Sequence, residues 1–366
     1  MIADRIGLTQ ASVSRITRDL IDAGLVEEGE VIDSGNRGRR FIGLKSRPGG
    51  CFVAGITINA FRQDVVLGDV TNAELKSRRL KIEDLNDPQR VFDKAAKTLD
   101  ELVDQSGIAR EKLIGCGVTI TGAVDPDQCV LRSAPVLGWE NLDINQMLGE
   151  KLNLPIFMDN IPNAKNLAAS HYGPTKGIEN VVLLNASLGI GCSLMMDGRL
   201  LRGRDFAAGL IDSLNIYDPS QKKENVLDLA AGGFGVVKSL NNTSQHDGIL
   251  GARQLIDAMQ TSIDGHQPTI EILENTGFGL ARAISTINTI LHPEVFLLSG
   301  PLIENEHYLQ GVHNGLSELV GPEFVNDRVR CSFISNQESA RSLAIYQSLL
   351  NPRASHLKPD RNLSQA

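Results

Sequence analysis

The chain of 366 residues predicts a mixed α/β protein in two lobes, with a small helical head in front. Two observations carry this. A meander of short strands followed by a helix occurs twice, near residues 52 and 181. Two such lobes leave a cleft between them. The first 47 residues also differ in charge from the rest. They balance basic against acidic side chains, so the net charge of −8 belongs to the body. The expected organisation is a head over 1–47, a first lobe over 51–174 completed by a C-terminal helix at about 338–350, a second lobe over 175–337, and a frayed tail over 351–366. SRPGG at 46–50 is the linker candidate.

Composition narrows the function classes. Aromatic residues make up 4% of the chain, which argues against a stacking platform for single-stranded nucleic acid. Five cysteines (Cys51, Cys116, Cys129, Cys192, Cys331) are scattered with no C-x-x-C pair, so neither a disulfide framework nor a zinc site is expected. No run of 18 apolar residues and no signal-peptide profile occurs, and a reduced, cytoplasmic setting with no membrane partner is expected.

In the head, Ile2 to Ile6 reads as a short helix stopped by Gly7. Thr9 is an N-cap for a second helix that runs to about Ala23 and stops at Gly24. Val13, Ile16 and Leu20 form its apolar stripe, with Ala11, Ser14, Arg15 and Arg18 opposite. LVEEGEVIDSGNRGRRFIGL alternates around SGNRG like a two-stranded wing.

In the body, CFVAGITI, RQDVVLGDV and ELKSRRLKI read as strands, and VFDKAAKTLDELVDQSG as an amphipathic helix closed by Gly107. LIGCGVTITGAV is a buried strand entering a glycine turn; LPIFMDNI is another strand, and PNAKNLAASHYG a helix. NVVLLNAS, GIGCSLMMDG and RLLRG form the second meander. TGFGLARAISTINTILHP is the clearest later helix, VFLLSGP a strand, and ESARSLAIYQSLL the last helix.

A helix that reads DNA needs short polar and basic side chains near its N-terminus on one face. Gln10, Ser14, Arg15 and Arg18 meet that need, since Gln suits adenine and Arg suits guanine or phosphate. Arg37, Arg39 and Arg40 on the wing fit phosphates or a narrow minor groove. The same pattern also suits an ordinary amphipathic helix with a solvated outer face.

ASVSRITRDLIDAGLVEE followed by GRR resembles the winged helix-turn-helix of the ROK regulators (repressors, open reading frames and sugar kinases). TGAVDPDQCVLRSAPVLGWENLDI and GRLLRGRDFAAG are similar to the family's body over roughly residues 1–350. The resemblance implies an actin-like, two-lobed ATPase-type fold behind a DNA-binding head. The family's head usually carries a further helix ahead of the segment that begins at Met1, so a partial head is expected.

Set against the family's sugar kinases, each catalytic element departs. Thr57 stands where the D-x-G-G-T motif has its metal-positioning Asp, followed by Asn59, Ala60 and Phe61 in place of Gly-Gly-Thr. DNIPNA at 159–164 aligns with E-N-D-A-N-A and puts Ile161 at the catalytic Asp, where it can neither accept nor orient a hydroxyl proton. NASLGIGCSL keeps Gly189 and Gly191 of the second phosphate loop but has Ser187, Leu188, Cys192 and Ser193 elsewhere; a tight turn is the simpler reading of GIG. SGP at 299–301 replaces G-G-G. The zinc module is missing, with Leu210 and Ser213 at its Glu and His, Val226 at a cysteine and Asp228 at its last Glu.

The resemblance therefore implies a transcriptional regulator, of carbohydrate-related genes, with a double-stranded operator as partner and a homodimer or higher homo-oligomer as its working form. No catalytic residue, metal or cofactor is expected. Gly122, Asp159 and Asn160 are the candidate residues for a sugar, sugar-derivative or sugar-phosphate effector, although Asp159 and Asn160 suit helix capping equally well. The alternatives are an ATP-dependent sugar kinase of the same family and a body that only dimerises the head.

Overall fold

Thr9 starts the main helix of the head, as its sequence position suggests. In the computed structural model, which describes residues 2–32, 41–82, 85–218, 222–241 and 248–351, its Oγ1 accepts from Ser12 N at 3.2 Å and the helix spans Gln10–Asp22. Gly24, at φ +71°, ends it. Strands Val26–Ile32 and Phe41–Ser46 then pair antiparallel, Val26 opposite Ser46.

The apolar stripe of that helix is not enclosed. None of its residues is buried, and Ile16 and Leu20 are 43% and 37% exposed. Ile2, Ile6, Leu8, Ile42 and Leu44 are exposed as well. Helical spacing creates a stripe; burying it takes a facing layer, and one five-residue helix with two strands does not supply one. The expected linker is tethered instead of loose. Arg47 N donates to Leu25 O at 2.9 Å, and Gly50 lies so close to Gly24 that a Cβ would come within 2.0 Å of its carbonyl oxygen.

The first body sheet has the order Ile156–Asn160, Leu113–Ile120, Phe52–Ile58, Gln63–Asp69, Glu74–Arg79. The first three strands are mutually parallel and the last two fold back antiparallel. Helix Pro88–Ser106, N-capped by Asp87, buries Val91, Phe92, Ala95 and Leu99 against one face. Helix Asn336–Ile345 lies on the other face. Gly117 makes that approach possible, because a Cβ there would stand 2.1 Å from Ala340 O.

The second sheet runs Arg199–Leu200, Ile190–Met196, Val181–Ala186, Val295–Ser299, Val329–Cys331. Helix Gln267–Leu291 packs on Glu306–Leu319 beside it. It begins nine residues ahead of the TGFG segment read from the sequence, because Pro268 fits the first turn, where its missing N–H has no partner to lose. Helix Ile161–Tyr172 packs against strands of both sheets and against Asn336–Ile345.

Two small sheets are absent from the sequence reading. Ala123–Asp125, Val130–Ala134 and Trp139–Asp143 form one; Asn215–Asp218 and Lys223–Val226 form the other, within the stretch read as the remnant of a zinc module. Strands of three to five residues carry too little alternation to stand out. Among the described residues no helix is long and apolar enough to cross a membrane.

Candidate functional site

The strand Ile156–Asn160 ends between the lobes, and its last two residues carry the polar chemistry there. Asn160 Oδ1 accepts from Asn163 N at 2.9 Å and so caps helix Ile161–Tyr172. Its Nδ2 has no partner among the described residues. Asp159 is fully buried. Its Oδ1 accepts from Asn160 N at 2.8 Å and Asn163 Nδ2 at 2.9 Å, and its Oδ2 from Arg202 Nη2 at 2.6 Å. Arg202 follows the edge strand of the second sheet, so this pair bridges the lobes. Burial disfavours the guanidinium charge, but the Asp159 carboxylate outweighs it and holds the Arg202 pKa above the usual value.

Gly122, at φ +121°, turns the chain out of strand Leu113–Ile120; a Cβ there would meet Ser133 O at 2.2 Å. Strand Ala123–Asp125, which it leads into, lies beside Ile156–Asn160, so Gly122 and Asp159 belong to one neighbourhood.

Across the first sheet, Asp159, Thr119, Thr57 and Asp64 share one row. Thr57 and Thr119 are fully buried and their hydroxyls have no partner among the described residues. Thr57 therefore presents no carboxylate to a metal, and Asp64 is taken by Arg62, with Nε and Nη2 at 2.6 and 2.5 Å. The hairpin that follows Thr57 spends its amides on itself. Asn59 Oδ1 accepts from Phe61 N and Arg62 N at 2.8 and 3.0 Å.

The turn around Gly189 and Gly191 is likewise filled by the protein's own atoms. Ser187 N donates to Gly189 O at 3.0 Å, which makes it a tight turn. Neither glycine has a positive φ, so backbone freedom is not what requires them. A Cβ on Gly189 would fall 2.5 Å from Asp228 Oδ2, and one on Gly191 2.5 Å from Pro162 Cγ. Ile190 N already donates to Asp228 Oδ1 at 2.7 Å. Burial pushes the Asp228 carboxyl up to about 7; the Ile190 amide opposes this and Asp212 reinforces it.

Lys165 is the residue that sequence reasoning missed. It is 7% exposed, and its Nζ donates to Asn185 Oδ1 at 3.1 Å and Ser299 Oγ at 3.0 Å, at the ends of two strands of the second sheet. Burial pushes its ammonium down to about 8, with Glu304 acting the other way. A lysine in the otherwise small and neutral run NAKNLAAS was the available signal. Ile161 is buried in the first turn of the same helix, whereas Leu210 is 43% exposed and closes nothing.

In the head, Gln10, Ser14, Arg15 and Arg18 are all exposed along helix Gln10–Asp22. Arg37, Arg39 and Arg40 lie outside the described residues.

The ROK family model matches residues 64–344. This chain belongs to the ROK family. The xylose repressor of Bacillus spizizenii is 24% identical over 331 residues, 89% of this chain and 84% of the repressor. A solved ROK family transcriptional regulator, a homologue of the Escherichia coli MLC protein, superposes with a TM-score of 0.74 at 21% identity, covering 94% of this chain and 90% of the other. A ROK glucokinase from Streptomyces griseus, solved with glucose and AMPPNP, superposes at 0.62 and 16% identity, covering 80% of this chain and 98% of the kinase. The two-lobed fold is thus the ROK fold.

Proposed function

We propose that this ROK protein is a transcriptional regulator of carbohydrate-related genes that binds double-stranded DNA as a homodimer, takes a sugar or sugar derivative between its lobes, and transfers no phosphoryl group. The observation that carries the reading is the exposed row Gln10, Ser14, Arg15 and Arg18 on a capped helix, attached to a body whose general-base position holds Ile161. The match to a repressor along 89% of the chain supports it. A lone head makes few contacts, and two-fold regulators read paired half-sites.

The cleft chemistry fits an effector better than a phosphoryl donor. Asn160 Nδ2 is free to donate to a sugar hydroxyl. Asp159 already accepts from Arg202, so a hydroxyl reaching that carboxylate competes with a bond that ties the lobes. Ligand binding then favours one lobe arrangement, which alters the spacing of the two heads. The test is selection of DNA fragments by the full-length protein, followed by a carbohydrate and sugar-phosphate screen. A true effector is lost in Asn160→Ala and shifts DNA affinity in the parent. Absence of salt-sensitive, sequence-selective DNA binding would refute the regulator reading.

A further inference from the structure

A cavity of 270 Å³ opens between the small sheet Asn215–Asp218/Lys223–Val226, the middle of helix Gln267–Leu291 and the end of helix Glu306–Leu319. Asn215, Tyr217, Arg282, Ser285 and Leu319 line it, and none of the lining residues carries a carboxylate. Arg282 Cζ lies over the Tyr217 ring, 5.0 Å from its centre, and over that of Phe278, one turn earlier on its own helix, at 5.3 Å.

We infer that this cavity binds a small oxyanion, a carboxylate or phosphate monoester, through Arg282. The cation–π attraction of two rings holds the guanidinium in place and uses none of its five N–H groups as a hydrogen-bond donor to an oxygen. None of them has an acceptor among the described residues, and Nε is shut off from solvent with no partner. An arginine whose task is to pin the small sheet to the helix needs only its faces. A held guanidinium whose two Nη groups have no acceptor can receive two oxygens of one anion at its outer end. The Ser285 hydroxyl and Asn215 amide supply further donors on the same wall, while Thr286 is committed to Arg282 O at 3.0 Å. A volume of 270 Å³ falls just below the ~300–1,000 Å³ of drug-sized pockets, which suits a small metabolite.

The experiment titrates sodium phosphate and sodium acetate into the full-length protein at constant ionic strength, with melting temperature and calorimetry as readouts. Saturable binding of either anion is expected, and which one saturates identifies the oxyanion. Arg282→Gln should abolish it. Arg282→Lys, which keeps charge and stem but loses the fork, should weaken it at least about tenfold and guards against a folding defect in the first variant. Asn160→Ala should bind the anion as the parent does, which separates this site from the interlobe effector. A non-saturating response, or equal binding by parent and Arg282→Lys, would overturn the inference and leave Arg282 as a staple for the small sheet.

Discussion

Arg202, from the second lobe, donates from Nη2 to Asp159 Oδ2 at 2.6 Å, at the end of a first-lobe strand, and closes the last acceptor of a carboxylate that is otherwise bonded to Asn160 and Asn163. The same carboxylate thus organises the start of helix Ile161–Tyr172 and the join between the lobes. Asp159→Asn removes the charge and strands a largely covered guanidinium, whose side chain is 25% exposed. Breaking a buried pair costs about 3–5 kcal/mol, and partial exposure reduces this to about 2 kcal/mol. Urea unfolding should show that loss in Asp159→Asn and partial recovery in Asp159→Asn/Arg202→Met. Additive effects of the two substitutions would exclude coupling across the lobes.

Sugar phosphorylation is expected to be absent, and to stay absent when the missing carboxylate is restored. A general base alone is worth about 10²–10⁴-fold. Ile161→Asp supplies that group, yet Thr57 still offers no carboxylate to position a metal and Asp228 still holds Ile190 N. A coupled assay with ATP and a panel of hexoses checks this; hexose-stimulated turnover by Ile161→Asp would mean that the phosphate cradle survives.

Two buried groups give stability a signed dependence on pH. Asp228 titrates near 3.8 unfolded and about 7 folded, so the folded state binds the extra proton between these values. Stability from this group is present at low pH and lost as pH rises toward 7, at up to about 1.4 kcal/mol per unit. Asp228→Asn should flatten that limb in melting curves taken from pH 4 to 8.

Lys165 works in the opposite sense. Its ammonium titrates at about 8 folded against 10.5 unfolded, so the unfolded state binds more protons in between and stability rises with pH over that window. Lys165→Met should remove the rise, measured as urea midpoints at pH 7.5 and 10. An unchanged slope would mean that Lys165 is charged in the fold throughout.

Arg15→Ala and Arg18→Ala should each weaken operator binding. If the lost contact is to phosphate, the dependence of log affinity on log salt should fall by about one unit; if to a guanine, specificity at that base should relax at a cost of about 1–3 kcal/mol. Gel-shift titrations across salt concentrations distinguish the two, and a parent-like affinity in both variants would remove this helix from the interface.

The sequence by itself determined what is local. Thr9 and Gly24 bound a helix, Asn160 caps another, and the two meanders announce two sheets, because caps and periodicities act over one to four residues. It also determined that positions 161 and 57 carry no carboxylate in any fold, being Ile161 and Thr57. Tertiary structure decided which groups meet. Arg202 finds Asp159 43 positions away, Lys165 reaches Ser299 across 134, and Asp228 reaches back 38 to the Ile190 amide. It decided, too, that Ile16 and Leu20 stay exposed although their spacing marks a packing face. A stripe follows from the helical repeat, but burial and pairing depend on what the rest of the chain brings within a few ångströms.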